Sequence, residues 1–210
     1  AHYNFAEFEP NGWAPYGVSL AMAGIVAVFG TALIFLGAYL VEKTKVAAPL
    51  RGFAHFLAML PMAVPGLVLG LGYVFFINAK GSWFGWLYGT LAVLAINTIA
   101  HFYTVGHITA TTALKQIDNE FEAVSASLKV PFWTTFRRVT VPISMPAILD
   151  IAVYMFVNAL TTISAVVFLY GPTTKLAAIS IIHMDESGAT APAAATIMPP
   201  SAGPKLRAML

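Results

Sequence analysis

The sequence predicts an all-α, polytopic membrane helix bundle: four clear spans, with short helices outside the bilayer between the third and the fourth. Three observations lead there. Hydrophobic residues make up 59% of the chain and charged residues 10%, whereas a soluble globular chain carries about 25% charged residues. The apolar residues gather into four stretches that reach the roughly 20 residues a bilayer demands. Alternating segments of the barrel type are absent. The same composition excludes other classes. A net charge of +2 is no electrostatic footprint for nucleic acid. The absence of cysteine removes disulfides, a thiol nucleophile and Cys-ligated metal.

The spans are expected at residues 16–41, 53–78, 84–106 and 143–170. The first is too long and too central for a signal peptide. Basic residues set the orientation. Lys43, Lys45 and Arg51 follow span one, and Lys115, Lys129, Arg137 and Arg138 lie between spans three and four; only Lys80 and Lys175 lie on the other side. Seven against two places the first set in the cytoplasm and the N-terminal stretch 1–15 outside. The membrane domain is expected over 16–190, followed by an atypical Pro-rich tail, 191–210, with Pro192, Pro199, Pro200 and Pro204. Those prolines forbid a regular spanning helix.

The segment between spans three and four, 115–142, reads as helical. Ile117, Phe121, Val124 and Leu128 form one apolar stripe at helical spacing. Asn119 with Glu122 suggests a capping box over a helix at 119–128. Pro131 ends it. A second amphipathic piece follows, with Phe132, Phe136 and Val139 apolar and Arg137 and Arg138 charged; Pro142 and Pro146 mark the entry to span four. Such helices rest on lipid headgroups or dock a soluble partner.

The residues from Glu122-Ala123-Val124 to Phe132-Trp133-Thr134-Thr135-Phe136-Arg137-Arg138-Val139-Thr140-Val141-Pro142 resemble the EAA loop of binding-protein-dependent ABC importer permeases. Tyr16-Gly17-Val18-Ser19-Leu20 and Leu60-Pro61-Met62-Ala63-Val64-Pro65-Gly66 are similar to core helices of that family. The resemblance implies that Glu122, Ala123, Val124, Lys129, Pro131, Arg137, Arg138 and Pro142 couple the chain to an ATPase. The family's usual glycine after Glu-Ala-Ala is missing. Leu128 or Lys129 stands near its place, and Val130-Pro131 is expected to make the turn instead. Within the family, Phe121 to Pro131 resembles the 2-aminoethylphosphonate subgroup, itself close to the iron(III) importer permeases. The family also has a further span after the outer loop, expected here from Gly188. The tail at 196–204 does not read as one, which suggests an altered or truncated final helix.

Individual residues carry two readings each. Pro61, Pro65, Gly66 and Gly70 make a kinked, closely packed helix or a hinge. Asn97 and His101 share one helix face. Asn158, Thr161, Thr162 and Ser164 crowd the outer half of span four. These side chains are interhelical glue or a translocation path. Asp150 is the one carboxylate inside a span, about 10 Å from its cytoplasmic end, and either pairs with a neighbour or serves the path. His55, His107 and His183 show no ligand spacing, so no metal is assigned.

No nucleotide-binding P-loop, serine nucleophile or zinc motif occurs. The chain is therefore expected to be no enzyme and to need no cofactor. The resemblance implies a permease subunit working with cytoplasmic ABC ATPase subunits, a second permease copy or half, and a periplasmic solute-binding protein that meets residues 80–85 and 171–187. Its medium is the lipid of the bacterial inner membrane, and nucleic acid has no part. The solute would be 2-aminoethylphosphonate, with iron(III) or polyamine as alternatives. The competing class is an ion-gradient transporter, which calls for an inverted repeat that the sequence lacks.

Overall fold

The computed structural model describes residues 14–43, 48–118 and 120–186. The tail, the helix expected from Gly188, most of the N-terminal stretch and the Asn119 cap lie outside them. Every regular element described is helical. Helix α1 (Ala14–Lys43) and helix α4 (Leu91–Gln116) are each long and apolar enough to cross a membrane alone. Two further candidates are bent pairs. Helices α2 (Ala48–Ala63) and α3 (Gly66–Ile77) meet at 106°; α6 (Phe132–Ile143) and α7 (Met145–Thr161) meet at 76°. Among the described residues there are thus two to four candidate spans, not four straight ones. The short helices α5 (Glu120–Ser127) and α8 (Ala177–Glu186) complete the set.

Local chemistry explains the breaks. Pro65 has φ −56° and ψ 138° and opens α3, whose first amides, Val68 and Leu69, donate to its carbonyl. Proline also drives the preceding residue out of the helical region, so the chain turns at Val64 and Pro65. Pro61, by contrast, is absorbed inside α2. At the second break Ser144 ends α6, and Pro146 sits in the first turn of α7, where a missing N–H costs nothing. One π-helical turn, Val26–Gly30, interrupts α1, and another, Phe136–Thr140, interrupts α6.

Three expected boundaries move. Span three starts later and runs further, because α4 covers 91–116 rather than 84–106. Thr90 caps it, its side chain accepting from Val93 N at 3.4 Å. Span four loses its outer third: α7 stops at Thr161, and 162–170 is a run of turns. The outer loop at 171–187 contains α8, whose Ala177 N donates to Ser19 Oγ at 2.9 Å.

Helix α4 forms the centre. Leu94, Ala110 and Leu114 are fully buried, with Met22 and Ile34 of α1 and Ile151 and Met155 of α7 around them. Gly106 lets α1 and α7 approach: a Cβ there would meet Ile34 Cδ1 at 2.9 Å and Ile151 Cγ2 at 3.4 Å. Among the longer helices, α2 packs least, since Ala58 is its one buried residue.

Candidate functional site

The coupling segment begins where α4 ends. Lys43 Nζ, from the end of α1, donates to Ile117 O at 2.8 Å and so satisfies a carbonyl of the kind helix ends leave open. Asp118 then caps α5, its Oδ1 accepting from Glu120 N at 3.0 Å. The Asn119 that the sequence pattern suggests as the cap lies outside the described residues. Helix α5 holds Glu122, Ala123 and Val124; of Glu122 only the backbone is described.

The apolar stripe divides. Ile117 is buried, while Phe121, Val124 and Leu128 are 46%, 56% and 70% exposed. Phe121 borders a cavity of about 490 Å³ between α5 and the break before α7, lined also by Gln116, Asp118 and Ser144.

The turn after α5 corrects an expectation. Lys129, not Val130-Pro131, makes it. Lys129 has φ +53°, the one non-glycine in the left-handed region among the described residues. Lys129 N donates to Ala126 O at 3.1 Å and Val130 N to Ser125 O at 2.9 Å. That pair of bonds is the Schellman termination, which usually employs glycine. The lysine thus does what a glycine would do at the same point.

Helix α6 is anchored where α5 is not. Phe136 is 8% exposed. Its ring lies 4.6 Å from Tyr39 and 6.1 Å from Phe35, both on α1, and Phe132 lies 5.1 Å from Tyr39. Arg137, Arg138 and Pro142 remain exposed, as does Pro131 before the helix.

The second candidate group lies deeper. Asn97 is fully buried and its Nδ2 donates to Ala165 O, inside the irregular run after α7. His101, one turn on, faces Gly66 and Ser164: a Cβ on Gly66 would sit 2.7 Å from Ser164 Oγ and 3.2 Å from the His101 ring. Gly70 is as tight, at 2.7 Å from Ala165 O. The four residues Asn97, His101, Gly66 and Gly70 are thus brought together against 164–165. Asn158 and Thr161 are not among them. Asn158 Nδ2 donates to Tyr154 O at 2.8 Å and Thr161 Oγ1 to Val157 O at 3.1 Å, both within α7. Thr162 is buried at the end of α7. Asp150 is exposed on α7, with no ion pair among the described residues.

The family described as binding-protein-dependent transport system inner membrane component matches residues 34–199, most of the chain and all of the coupling segment. This chain belongs to that family. It is thus a permease component of the inner membrane. The permease is 31% identical over 176 residues to the ferric transport system permease protein FbpB of Actinobacillus pleuropneumoniae, across 84% of this chain and 25% of that protein. It is 26% identical over 170 residues to the sulfate transport system permease protein CysT of Escherichia coli K12, covering 78% and 61%. It is 27% identical over 139 residues to a provisional 2-aminoethylphosphonate permease, PhnV, of Salmonella paratyphi A, covering 65% and 50%. The chain spans about a quarter of the length of the ferric relative.

One cluster in the permease is not visible in the sequence pattern, where its histidines stand scattered. His55 Nε2 of α2 lies 2.9 Å from Glu42 Oε1 of α1, and His55 Nδ1 lies 3.2 Å from His107 Nε2 of α4. Lys115 Nζ is 3.6 Å from the same Glu42 oxygen. A signal does exist in helical phase: His107 shares a face with Thr104, Thr111 and Leu114, all buried. The three groups do not form a metal-binding set among the described residues.

Proposed function

We propose that this chain is the membrane-spanning permease of an ATP-driven importer, and that α5 is the element its ATPase grips. The observation that carries the reading is α5 itself. A short helix, set off by a cap and a Schellman turn, presents Phe121, Val124 and Leu128 largely uncovered at the basic end of the bundle. Water does not hold such a stripe well, and a groove in a soluble partner would. Six described basic residues at this end, Lys43, Arg51, Lys115, Lys129, Arg137 and Arg138, support a cytoplasmic placement. In the proposed assembly ATP is hydrolysed in a separate subunit. A second permease copy or half completes the pathway, and an external binding protein delivers solute near residues 80–85 and 171–187. Asn97, His101, Asp150, Asn158, Thr161 and Thr162 are the path candidates. Among them His101 is best placed: it is part-buried beside Gly66 and Ser164, with Nδ1 unpartnered.

For the solute, the names of the relatives support ferric iron, sulfate or 2-aminoethylphosphonate; we favour the first and last, whose subgroups the EAA segment resembles. The test is copurification. The full chain, expressed with an ABC ATPase subunit of a binding-protein-dependent importer, should retain that ATPase, and Val124→Asp with Leu128→Asp should release it. Equal retention by both would refute the reading. Competitive uptake of radiolabelled iron(III) and 2-aminoethylphosphonate then separates the solutes.

A further inference from the structure

Helix α2 is held to the bundle in an unusual way. Phe53, Phe56, Leu57, Leu60 and Met62 are exposed and Ala58 alone is buried. In lipid, apolar area gives no net drive for helix association, so polar contacts and close packing must hold such a helix. Thr104 Oγ1 of α4 donates to Ala58 O at 2.7 Å, and one turn before Ala58, His55 stands between Glu42 of α1 and His107 of α4.

We propose that Glu42, His55 and His107 form a proton-limited clasp that fixes α2 against α1 and α4, and that acid releases. The geometry sets the limit. Two imidazole nitrogens 3.2 Å apart share one proton: one nitrogen donates and the other must keep its lone pair. His55 can carry a second proton on Nε2, and that charge would lie 2.9 Å from Glu42 Oε1, a buried oxygen with no hydrogen bond among the described residues. His107 cannot also become charged without pointing two N–H groups at one another.

The surroundings do not relieve this. Tyr103 stacks on the His107 ring at 5.5 Å, and His107 Nδ1 is buried without a partner. Lys115, 3.6 Å from Glu42, competes for the carboxylate. The other charges close in sequence are Lys43, engaged with Ile117 O, and Arg51, one turn before His55. The released state lets both histidines take protons and the clasped state does not. The released state therefore binds more protons, and lowering pH through the histidine range shifts the balance toward it.

The clasp stands on geometry alone. A role in passing movement from the coupling segment to α2 would rest on the permease reading, and the test needs neither ATPase nor solute. The chain has no cysteine, so two introduced cysteines are its only thiols. Gly52 on α2, where an added Cβ meets nothing within 4 Å, and Thr112 on α4, which is exposed, take spin labels. The full chain carrying G52C and T112C is placed in phosphatidylcholine nanodiscs, and double electron–electron resonance distances are recorded at about pH 8 and about pH 5.5, on either side of the usual histidine midpoint. At the higher pH one distance population is expected. At the lower pH a second, longer population should appear and hold about half the molecules or more. His107→Gln keeps a neutral donor toward His55 and should hold the single population at both pH values. An unchanged wild-type distribution overturns the proposal, and so does a His107→Gln chain that responds to pH as the wild type does. The wild-type measurement tests the clasp by itself, whether or not the variant folds.

Discussion

Replacing Lys129 by glycine should tighten the end of α5, and the size of the effect can be worked from the backbone. Lys129 holds φ +53°. For a residue with a Cβ the left-handed region costs about 1–2 kcal/mol, and glycine escapes that cost but loses about 0.5–1 kcal/mol through its greater freedom when unfolded. The net gain is about 0.5–1 kcal/mol. Lys129→Ala is the proper reference, because it removes the same charge from a helix C-terminus, where a cation contributes about 0.3–1 kcal/mol, and keeps the Cβ. The readout is hydrogen exchange of three amides: Leu128, Lys129 and Val130, which donate to Val124, Ala126 and Ser125. At about 1.4 kcal/mol per factor of ten, exchange in the glycine variant should be about two- to five-fold slower than in the alanine variant. Equal or faster exchange in the glycine variant would show that the left-handed turn is not what ends α5.

Three further outcomes are expected. Glu122→Lys should abolish coupling of ATP hydrolysis to uptake while Glu122→Gln retains it; full transport by both would confine Glu122 to favouring the helix N-terminus, worth about 0.3–1 kcal/mol. Gly70→Ala, which sets a Cβ 2.7 Å from the Ala165 carbonyl, should destabilise the chain by about 1–3 kcal/mol, read as a lower midpoint of thermal unfolding in detergent, and an unchanged midpoint would show that α3 can slide away. Phe136→Ala empties the space beside Tyr39 and Phe35, a loss of about 3 kcal/mol or more in a packed core; ATPase binding should survive through α5 while uptake falls, and wild-type uptake would refute the separation.

Hydropathy locates the apolar mass correctly and the helices less well, for reasons visible in particular residues. The run at 162–170 is apolar, with Ala165, Val166 and Leu169 fully buried, yet it is not helical. Protein groups satisfy part of it: Asn97 and Tyr88 donate to its carbonyls at Ala165 and Phe168. Irregular backbone is tolerated at membrane depth under that condition, and a hydropathy window does not see who satisfies a carbonyl. The opposite error arises at 107–116, where His107, Thr111 and Lys115 lower the hydropathy but the buried face of Ala110 and Leu114 keeps α4 continuous. Proline is legible as a break at Pro65 and misleading at Pro61, since only the first lies where the chain turns. The glycine substitute at Lys129 is legible to within one residue. The clasp is not, because Glu42, His55 and His107 lie on three helices and adjacency across helices has no local signature.

The two arms of the coupling segment differ in what holds them, and this decides where a force applied there would go. Helix α5 buries none of its described side chains. Regions with few buried contacts open at little cost, so a pull on α5 alone would part it from α4 near Ile117 and Asp118. Helix α6 is different. Its rings are seated on Tyr39 and Phe35 of α1, and it passes through the 76° bend at Ser144 into α7. On the permease reading, movement of a partner bound to α5 reaches the bundle across the Lys129 turn and then through α6, toward α1 and α7 together. The direct connection into α4 is the shorter path along the chain, braced by the buried Ile117, the Lys43–Ile117 bond and the Asp118 cap, and no aromatic seat like that of α6 is seen there among the described residues. A rigid turn at Lys129 is therefore a requirement of that route. It also gives a physical reason for a left-handed residue to persist there despite its cost: a straighter, unstrained exit from α5 would aim α6 away from the aromatic seat on α1.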